Sequence, residues 1–157
     1  MKQLLAFAAA LIMAGCSSSP SPAPDAGNCP MCGKPVADGP EVRVLREGES
    51  GRGKQYRCFM CPIMEGLPAG DWTMRAVSGV DGKWVTFRSK QGRIESEPAS
   101  AVVLALEVSA GAECLNVHQV FVDEGEFGRY LEAHPDLKSS NPAPKKLQEV
   151  VGTGKTK

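Results

Sequence analysis

The sequence predicts an α+β fold: a small strand-rich domain with a cysteine-knuckle metal site, one C-terminal helix and disordered tails. Three features support this prediction, namely short runs of alternating polarity, two Cys-x-x-Cys pairs, and segments rich in Ser, Pro, Lys or Gly near both ends. The central part of the 157-residue chain is at the low end of the length that a hydrophobic core stabilises unaided. A metal ion or disulfides are therefore expected to contribute to stability.

Residues 1–15 are predicted to be an export signal. Lys2 precedes an apolar run over residues 4–14, which fits the charged and hydrophobic regions of a signal peptide. The run is shorter than the roughly 20 apolar residues that a transmembrane helix needs. The sequence Met13-Ala14-Gly15-Cys16 resembles the bacterial lipoprotein signal, and this resemblance implies that Cys16 is the site of lipidation. The alternative is an ordinary signal peptide that is cleaved nearby.

Residues 16–28 are predicted to be a lipid anchor and tether. The segment is rich in Ser and Pro, has almost nothing to bury and is expected to stay extended. Ser17, directly after Cys16, resembles the outer-membrane sorting pattern of enteric bacteria. The expected location is therefore the bacterial cell envelope, with the protein lipid-anchored in the outer membrane and facing the periplasm.

Residues 29–69 are predicted to form a cysteine-knuckle metal-binding unit, in which a hairpin joins the two Cys-x-x-Cys pairs. Residues 41–45 alternate in polarity like a half-buried strand, and a Gly-rich turn leads into a second strand around residues 55–57. The predicted order is therefore knuckle, hairpin, knuckle.

Residues 70–137 are predicted to form a strand-rich unit with a helix. Residues 72–77 and 83–87 are expected to pair as a hairpin around Asp81-Gly82, because Asp-Gly between alternating runs favours a tight turn. Residues 101–108 are apolar enough for a buried strand or a short helix, and residues 115–122 alternate like a strand.

A helix over residues 124–134 is the last predicted element. Asp123 can cap its N-terminus, with Glu126 three residues later as in a capping box, and Pro135 ends it. Residues 138–157 are rich in Ser, Asn, Pro, Lys and Gly, and they are predicted to be a disordered tail apart from a short turn at residues 147–151.

Charge and motifs argue against two broad classes of function. The chain has 18 basic and 18 acidic residues, whereas a nucleic-acid-binding protein is expected to have a basic patch. The sequence also has no nucleophile motif, no phosphate-binding loop and no evident carboxylate pair. We therefore expect neither a nucleic-acid partner nor an enzyme.

The most informative pattern is the pair of Cys-x-x-Cys motifs. Their cysteines are spaced so that four thiolates can close on one metal ion: Cys29, Cys32, Cys58 and Cys61. Gly33 suits such a knuckle, because a residue there often needs a positive φ. A structural zinc site, disulfides formed in an oxidising compartment and a redox-active pair all remain open. A thioredoxin-like pair should open a helix in a βαβ unit, which neither pair clearly does.

Soft side chains near the cysteines raise the further hypothesis of a copper carrier. Met31, Met60 and Met64 lie inside or just after the two motifs, and thioether beside thiolate is a combination that selects Cu(I). Methionine is also a routine core residue. Cys114 and His118 are a secondary candidate, because on a strand they would lie on one face. Their alternative roles are a buried small residue and a surface residue, respectively.

The two cysteine motifs also resemble a known group of proteins. Cys-Pro-Met-Cys-Gly-Lys-Pro-Val, followed after a hairpin by Tyr-Arg-Cys-Phe-Met-Cys-Pro-Ile-Met, resembles the TRASH and YHS cysteine-knuckle modules of metal-handling proteins. With the lipoprotein signal, the chain is similar over residues 28–135 to the NosL accessory lipoproteins of nitrous oxide reductase. This resemblance implies a periplasm-facing copper-binding accessory protein. In that family a methionine typically follows the Cys-Gly, whereas Lys34 follows Gly33 here, and this difference favours a closed four-cysteine zinc site.

The sequence thus predicts a lipid-anchored envelope protein that binds Cu(I) or zinc. Its expected role is that of a copper metallochaperone or an accessory protein for a metalloenzyme, and the expected partners are the membrane, through the lipid, and a protein that receives the metal. The alternatives are a zinc-stapled structural lipoprotein with an interaction role and an envelope thiol oxidoreductase.

Overall fold

A five-stranded antiparallel sheet, a two-stranded sheet and short helices make up the protein in the computed structural model, which describes residues 27–106 and 118–153. The strands are Val42–Arg46 (β1), Lys54–Tyr56 (β2), Trp72–Val77 (β3), Trp84–Lys90 (β4), Arg93–Glu97 (β5), Val102–Leu104 (β6) and Gln119–Phe121 (β7). The helices are Met60–Glu65 (α1), Glu124–Ala133 (α2), Pro135–Lys138 (α3) and Leu147–Thr153 (α4), with a 3-10 turn at Val36–Asp38. The predicted strand-rich α+β class is confirmed.

The large sheet has the strand order β2-β1-β3-β4-β5. The predicted hairpin around Gly82 is confirmed, because Val77 pairs with Trp84 and Gly82 has a φ of 66°. Strand β1 also pairs with β3, with Val42 opposite Ala76. The predicted division at residue 69 therefore does not separate two packed units, because the apolar faces of β1 and β3 are buried together.

One face of this sheet forms the larger of two cores. Alternate residues of the three central strands are buried there: Val42, Val44, Met74, Ala76, Val85 and Phe87. The same cluster contains Cys29, Cys58, Phe59 and Cys61, and Val103 and Val120 of the small sheet. We call it the cysteine core. The first Cys-x-x-Cys turn and helix α1 thus lie against the sheet, which fixes the positions of the cysteines.

Strand β5 is an element that the sequence pattern did not predict. Its sequence, Arg-Ile-Glu-Ser-Glu, contains one apolar residue, Ile94, and most of its side chains are exposed. It pairs with β4 at the edge of the sheet, where charged residues are common because they prevent further strand addition. The alternation of apolar and polar residues that predicts a strand is therefore almost absent from the sequence of β5.

A second core lies between the small sheet and helix α2. It consists of Val102, Leu104, Phe121, Phe127 and Tyr130, and we call it the aromatic core. The rings of Phe121 and Phe127 meet edge to face with centroids 5.4 Å apart. Of the two options for residues 101–108, the strand is correct at Val102–Leu104, and the strand predicted within residues 115–122 is present at Gln119–Phe121.

The N-terminus of α2 is capped as predicted. The side chain of Asp123 accepts a hydrogen bond of 2.7 Å from the amide of Glu126. The buried carboxylate of Glu126 accepts from the amides of Val122 (2.6 Å), Asp81 (2.7 Å) and Val80 (3.2 Å). Glu126 therefore links α2 to the β3–β4 turn, a role that the capping-box pattern did not reveal.

The C-terminal segment corrects the prediction of a disordered tail. Helix α4 buries Leu147 and Val150 in the cysteine core, and the backbone of Lys145 pairs with that of Val103. The side chain of Gln148 accepts a hydrogen bond from the amide of Ile94. Tertiary contacts thus order residues 138–153, whose few apolar residues give a weak helical pattern. Residues 154–157 lie outside the described part. None of the helices in the described residues is long and apolar enough to cross a membrane.

Candidate metal centre

The first cysteine pair lies in a tight turn before the 3-10 turn. The amide of Gly33 donates to the carbonyl of Cys29, and the amide of Cys29 donates to the carbonyl of Lys34, both at 2.8 Å. Gly33 has a φ of 69°, which confirms the positive φ that the motif predicted. Asn28 and Pro35 pair across the base of the turn. The loop is therefore closed by backbone hydrogen bonds that leave the cysteine side chains available.

The second pair lies at the start of a helix, which differs from the predicted second knuckle. Cys58 follows β2, and Cys61 is in the first turn of α1. Pro62 is compatible with this position, because a proline in the first helical turn removes an amide that has no intrahelical partner. The expectation that neither pair opens a helix is therefore wrong for this pair. The strands that flank α1 in the chain, β2 and β3, are both antiparallel to β1, which lies between them, and they are therefore parallel to each other. Helix α1 thus connects the two outer strands of a split βαβ arrangement.

Three of the four cysteine sulfurs converge beneath the sheet, and the fourth adjoins one of them. Those of Cys29, Cys32 and Cys61 all lie within 4.8 Å of one another, and the sulfur of Cys58 lies 3.4 Å from that of Cys61. None of these four cysteines is in a disulfide. With metal–sulfur bonds of about 2.3 Å, the sulfurs of a tetrahedral zinc site are about 3.8 Å apart. Cys29, Cys32 and Cys61 could thus hold a metal ion. Cys58 adjoins Cys61 but does not belong to this group, and its role as a fourth ligand stays a prediction.

The surroundings of Cys29 favour its thiolate. Burial alone would raise the pKa of Cys29, but backbone hydrogen bonds from Arg57, Cys32 and Met31 and the side chain of Cys32 together lower it. A thiolate is the form that binds metal ions. Amides of the first Cys-x-x-Cys turn thus donate to Cys29, the more buried of its two cysteines.

A polar network borders the cysteines on the side of β2 and α1. The hydroxyl of Tyr56 donates to the carboxylate of Glu65, which also forms an ion pair of 2.6 Å with Lys54. Burial, the bond to Glu65 and the negative charges of Glu65, Cys29 and Cys61 raise the pKa of Tyr56. The hydrogen bonds from Lys54 and Tyr56 lower the pKa of Glu65. The sequence pattern did not indicate this network, because its residues come together only when β2 and α1 pack side by side.

The methionines near the cysteines differ in exposure. Met31 is 38% exposed in the first turn, and Met64 is 56% exposed near the end of α1. Met60 is partly buried and packs against the cysteine core. Their role as additional ligands stays a prediction.

His118 is buried, which corrects its assignment to the surface. It lies at 4% exposure, with its ring edge-on to Phe59 and a centroid distance of 6.2 Å. Its Nδ1 accepts a hydrogen bond of 3.3 Å from the amide of Leu106. Burial lowers the pKa of His118, and a hydrogen bond to the backbone of Leu104 opposes this. The alternating pattern placed His118 on the face of Val120, and that face is turned to the cysteine core.

Two predicted site residues lie outside the described part of the chain. These are Cys16, the predicted site of lipidation, and Cys114, the predicted companion of His118. Comparison of the chain with protein-family models, with curated proteins and with solved structures gives no match.

Proposed function

We propose that the protein binds a soft metal ion in the bacterial cell envelope and delivers it, as Cu(I), to a partner protein. The observation that supports this proposal best is the convergence of Cys29, Cys32 and Cys61, whose sulfurs all lie within 4.8 Å of one another, with the sulfur of Cys58 beside that of Cys61. Thiolates are soft ligands, which favour Cu(I) and zinc over harder ions such as magnesium or calcium.

The surroundings of the centre also support a soft ion. The cysteine core is apolar around Phe59, and the exposed thioethers of Met31 and Met64 adjoin the two cysteine pairs in sequence. Thioether ligands bind Cu(I) well and have little affinity for hard cations. We therefore favour Cu(I) as the ion that is carried, in line with the resemblance to the NosL accessory lipoproteins.

The sequence of the N-terminus supports the proposed location. The apolar run over residues 4–14 ends at Met13-Ala14-Gly15-Cys16, and a Ser/Pro-rich tether follows. Lipidation of Cys16 would hold the metal-binding domain near the membrane surface, where it could meet a metalloenzyme in the periplasm. In this proposal the protein is a metallochaperone or accessory protein and has no catalytic activity of its own.

A structural zinc site is the second candidate, and the burial of the centre favours it. Cys29, Cys58 and Cys61 are at most 3% exposed and belong to the same cluster as the inner face of the sheet. Structural zinc sites are closed and stabilise the fold directly. In this case the domain would serve as an interaction module, and the ion would stay in place.

Metal titration of the full chain, purified in detergent under anaerobic conditions, tests the proposal. We expect the reduced chain to take up one Cu(I) and to release it to bathocuproine while the far-UV circular dichroism is retained. Replacement of both Cys29 and Cys61 by Ser should abolish uptake, and the double control Glu124→Gln with Glu132→Gln, at exposed positions of α2, should retain it.

Two other outcomes would contradict the proposal of a metal carrier. One zinc ion that resists mild chelation, with unfolding once it is removed, would support the structural candidate instead. No metal together with disulfides between the four cysteines would contradict both.

A further inference from the structure

The four cysteines differ in their access to solvent. Cys29 and Cys58 are 1% exposed and Cys61 is 3% exposed, whereas Cys32 is partly exposed. The side chains of Phe59 and Tyr56, both of the cysteine core, are also buried. An ion held by Cys29, Cys32 and Cys61 would therefore be closed off beside two of its ligands and accessible beside the third.

The local backbone explains why Cys32 is the accessible ligand. The hydrogen bonds of Cys29 with Gly33 and with Lys34 close the first turn, so that the residues at its tip project outward. Pro30, Met31 and Gly33 around Cys32 are all exposed. Cys58, in contrast, lies between β2 and α1, and Cys61 lies in the first turn of α1. The contact of Tyr56 with Glu65 joins these two elements. Cys32 is thus at the edge of the centre, next to an exposed thioether.

From this asymmetry we infer that Cys32 is the ligand through which the metal ion enters and leaves, and that the exchanging partner is a protein that presents a thiolate at the exposed tip of the first turn. The inference rests on the proposed function. On entry, Cys32 bonds to the ion first, and the buried thiolates follow. On exit, the reverse order holds, so that the ion is shared between Cys32 and the partner thiolate before it departs.

The exchange needs no other reactant. Each metal–sulfur bond to the partner forms as one bond to a cysteine of this chain breaks, and the oxidation state of the ion does not change. Each partner thiol releases a proton when it binds, and each cysteine that is set free can take one up. The ion therefore never has to leave its sulfur ligands for water.

Matched cysteine variants test this order of exchange. Cys32→Ser and Cys61→Ser each remove one thiolate of the group of three, so both should lower the equilibrium affinity for Cu(I) to a similar extent. Transfer of Cu(I) from the full chain to a synthetic Cys-x-x-Cys peptide, followed by stopped-flow, should be slowed at least about tenfold by Cys32→Ser and by less than about threefold by Cys61→Ser, because thiol exchange rates follow access. Equal rates for the two variants would overturn the inference.

Alkylation of the unsubstituted protein provides a second measurement that does not depend on variants. In the Cu(I)-loaded chain, N-ethylmaleimide should modify Cys32 at least about tenfold faster than the other three cysteines, as resolved by peptide mass spectrometry. Faster modification of Cys29, Cys58 or Cys61 would contradict the inference but leave the proposed function intact. A chain that binds no Cu(I) would contradict both.

Discussion

The two cores of the protein differ in the chemistry of their buried side chains. In the aromatic core, Phe121 meets Phe127 and Tyr130 at centroid distances of 5.4 and 5.2 Å, and its members are hydrocarbon and ring surface. In the cysteine core, three buried thiols lie among the apolar residues. Aromatic packing does not depend directly on the proton or metal concentration, whereas thiols bind both protons and metal ions. The stability of one half should therefore depend on the state of its sulfurs, and that of the other should not.

Removal of one buried phenylalanine from each core should have the largest effect and tests whether the two cores differ in this way. Phe59 and Phe121 are both at most 1% exposed, so Phe59→Ala and Phe121→Ala should each lower the free energy of unfolding by about 3–5 kcal/mol. Only Phe59→Ala should also weaken metal binding, because Phe59 lies between Cys58 and the helix that holds Cys61. Urea denaturation and Cu(I) titration of each variant measure the two effects.

The milder pair Phe59→Leu and Phe121→Leu serves as the control if either alanine variant fails to fold. If metal affinity fell equally in both members of a pair, both cores would contribute to metal binding.

Metal removal should have the next largest effect. A ligand present at 100 times its Kd stabilises the folded state by about 2.7 kcal/mol, and this contribution is lost on chelation. Amide hydrogen exchange should then speed up first in residues 29–65, with little change in residues 119–133. Uniform loss of protection over both regions would contradict the comparison.

The same contrast explains how much of the fold the sequence predicts. Strands β1, β3 and β4 have alternating apolar residues, so that each strand and the β3–β4 hairpin follow from the pattern, whereas the pairing of β1 with β3 does not. The capped helix α2 is likewise marked by Asp123. Strand β5 and helix α4 have few apolar residues, and they are ordered by hydrogen bonds to neighbouring elements such as that of Ile94 with Gln148. Such long-range contacts leave no local signal.

The candidate site shows the same limit. The motif spacing predicts that Cys29, Cys32, Cys58 and Cys61 come together, because each pair is a local unit. It does not predict which of them is accessible, since the burial of Cys58 and Cys61 depends on how α1 packs against the sheet. The network of Tyr56 with Glu65 is likewise a product of tertiary packing.

A polar substitution at the aromatic core should have a smaller effect. Glu126→Gln replaces one of two carboxylate oxygens, which accept from Val122 on one side and from Val80 and Asp81 on the other, by an amide that cannot accept. The free energy of unfolding should fall by about 2 kcal/mol, as expected for a buried donor left without an acceptor. Cu(I) affinity should not change, and the exposed Glu132→Gln is the control for the loss of charge. A large loss of metal affinity in Glu126→Gln would indicate that the two cores are coupled.

The smallest expected effect comes from His118, which joins the two regions through its contact with Phe59. Burial lowers the pKa of His118 in the folded state below its ordinary value of 6.5, so the unfolded chain binds a proton more readily. The free energy of unfolding should therefore be greatest above pH 6.5 and fall as the pH decreases below it, by at most about 1.4 kcal/mol per pH unit. His118→Asn, whose side-chain oxygen can accept the Leu106 amide, should flatten this dependence, and His134→Asn should retain it. Urea denaturation of the reduced, metal-free chain between pH 5 and 8 excludes protons released by metal binding, and an unchanged slope in His118→Asn would show that another group is responsible.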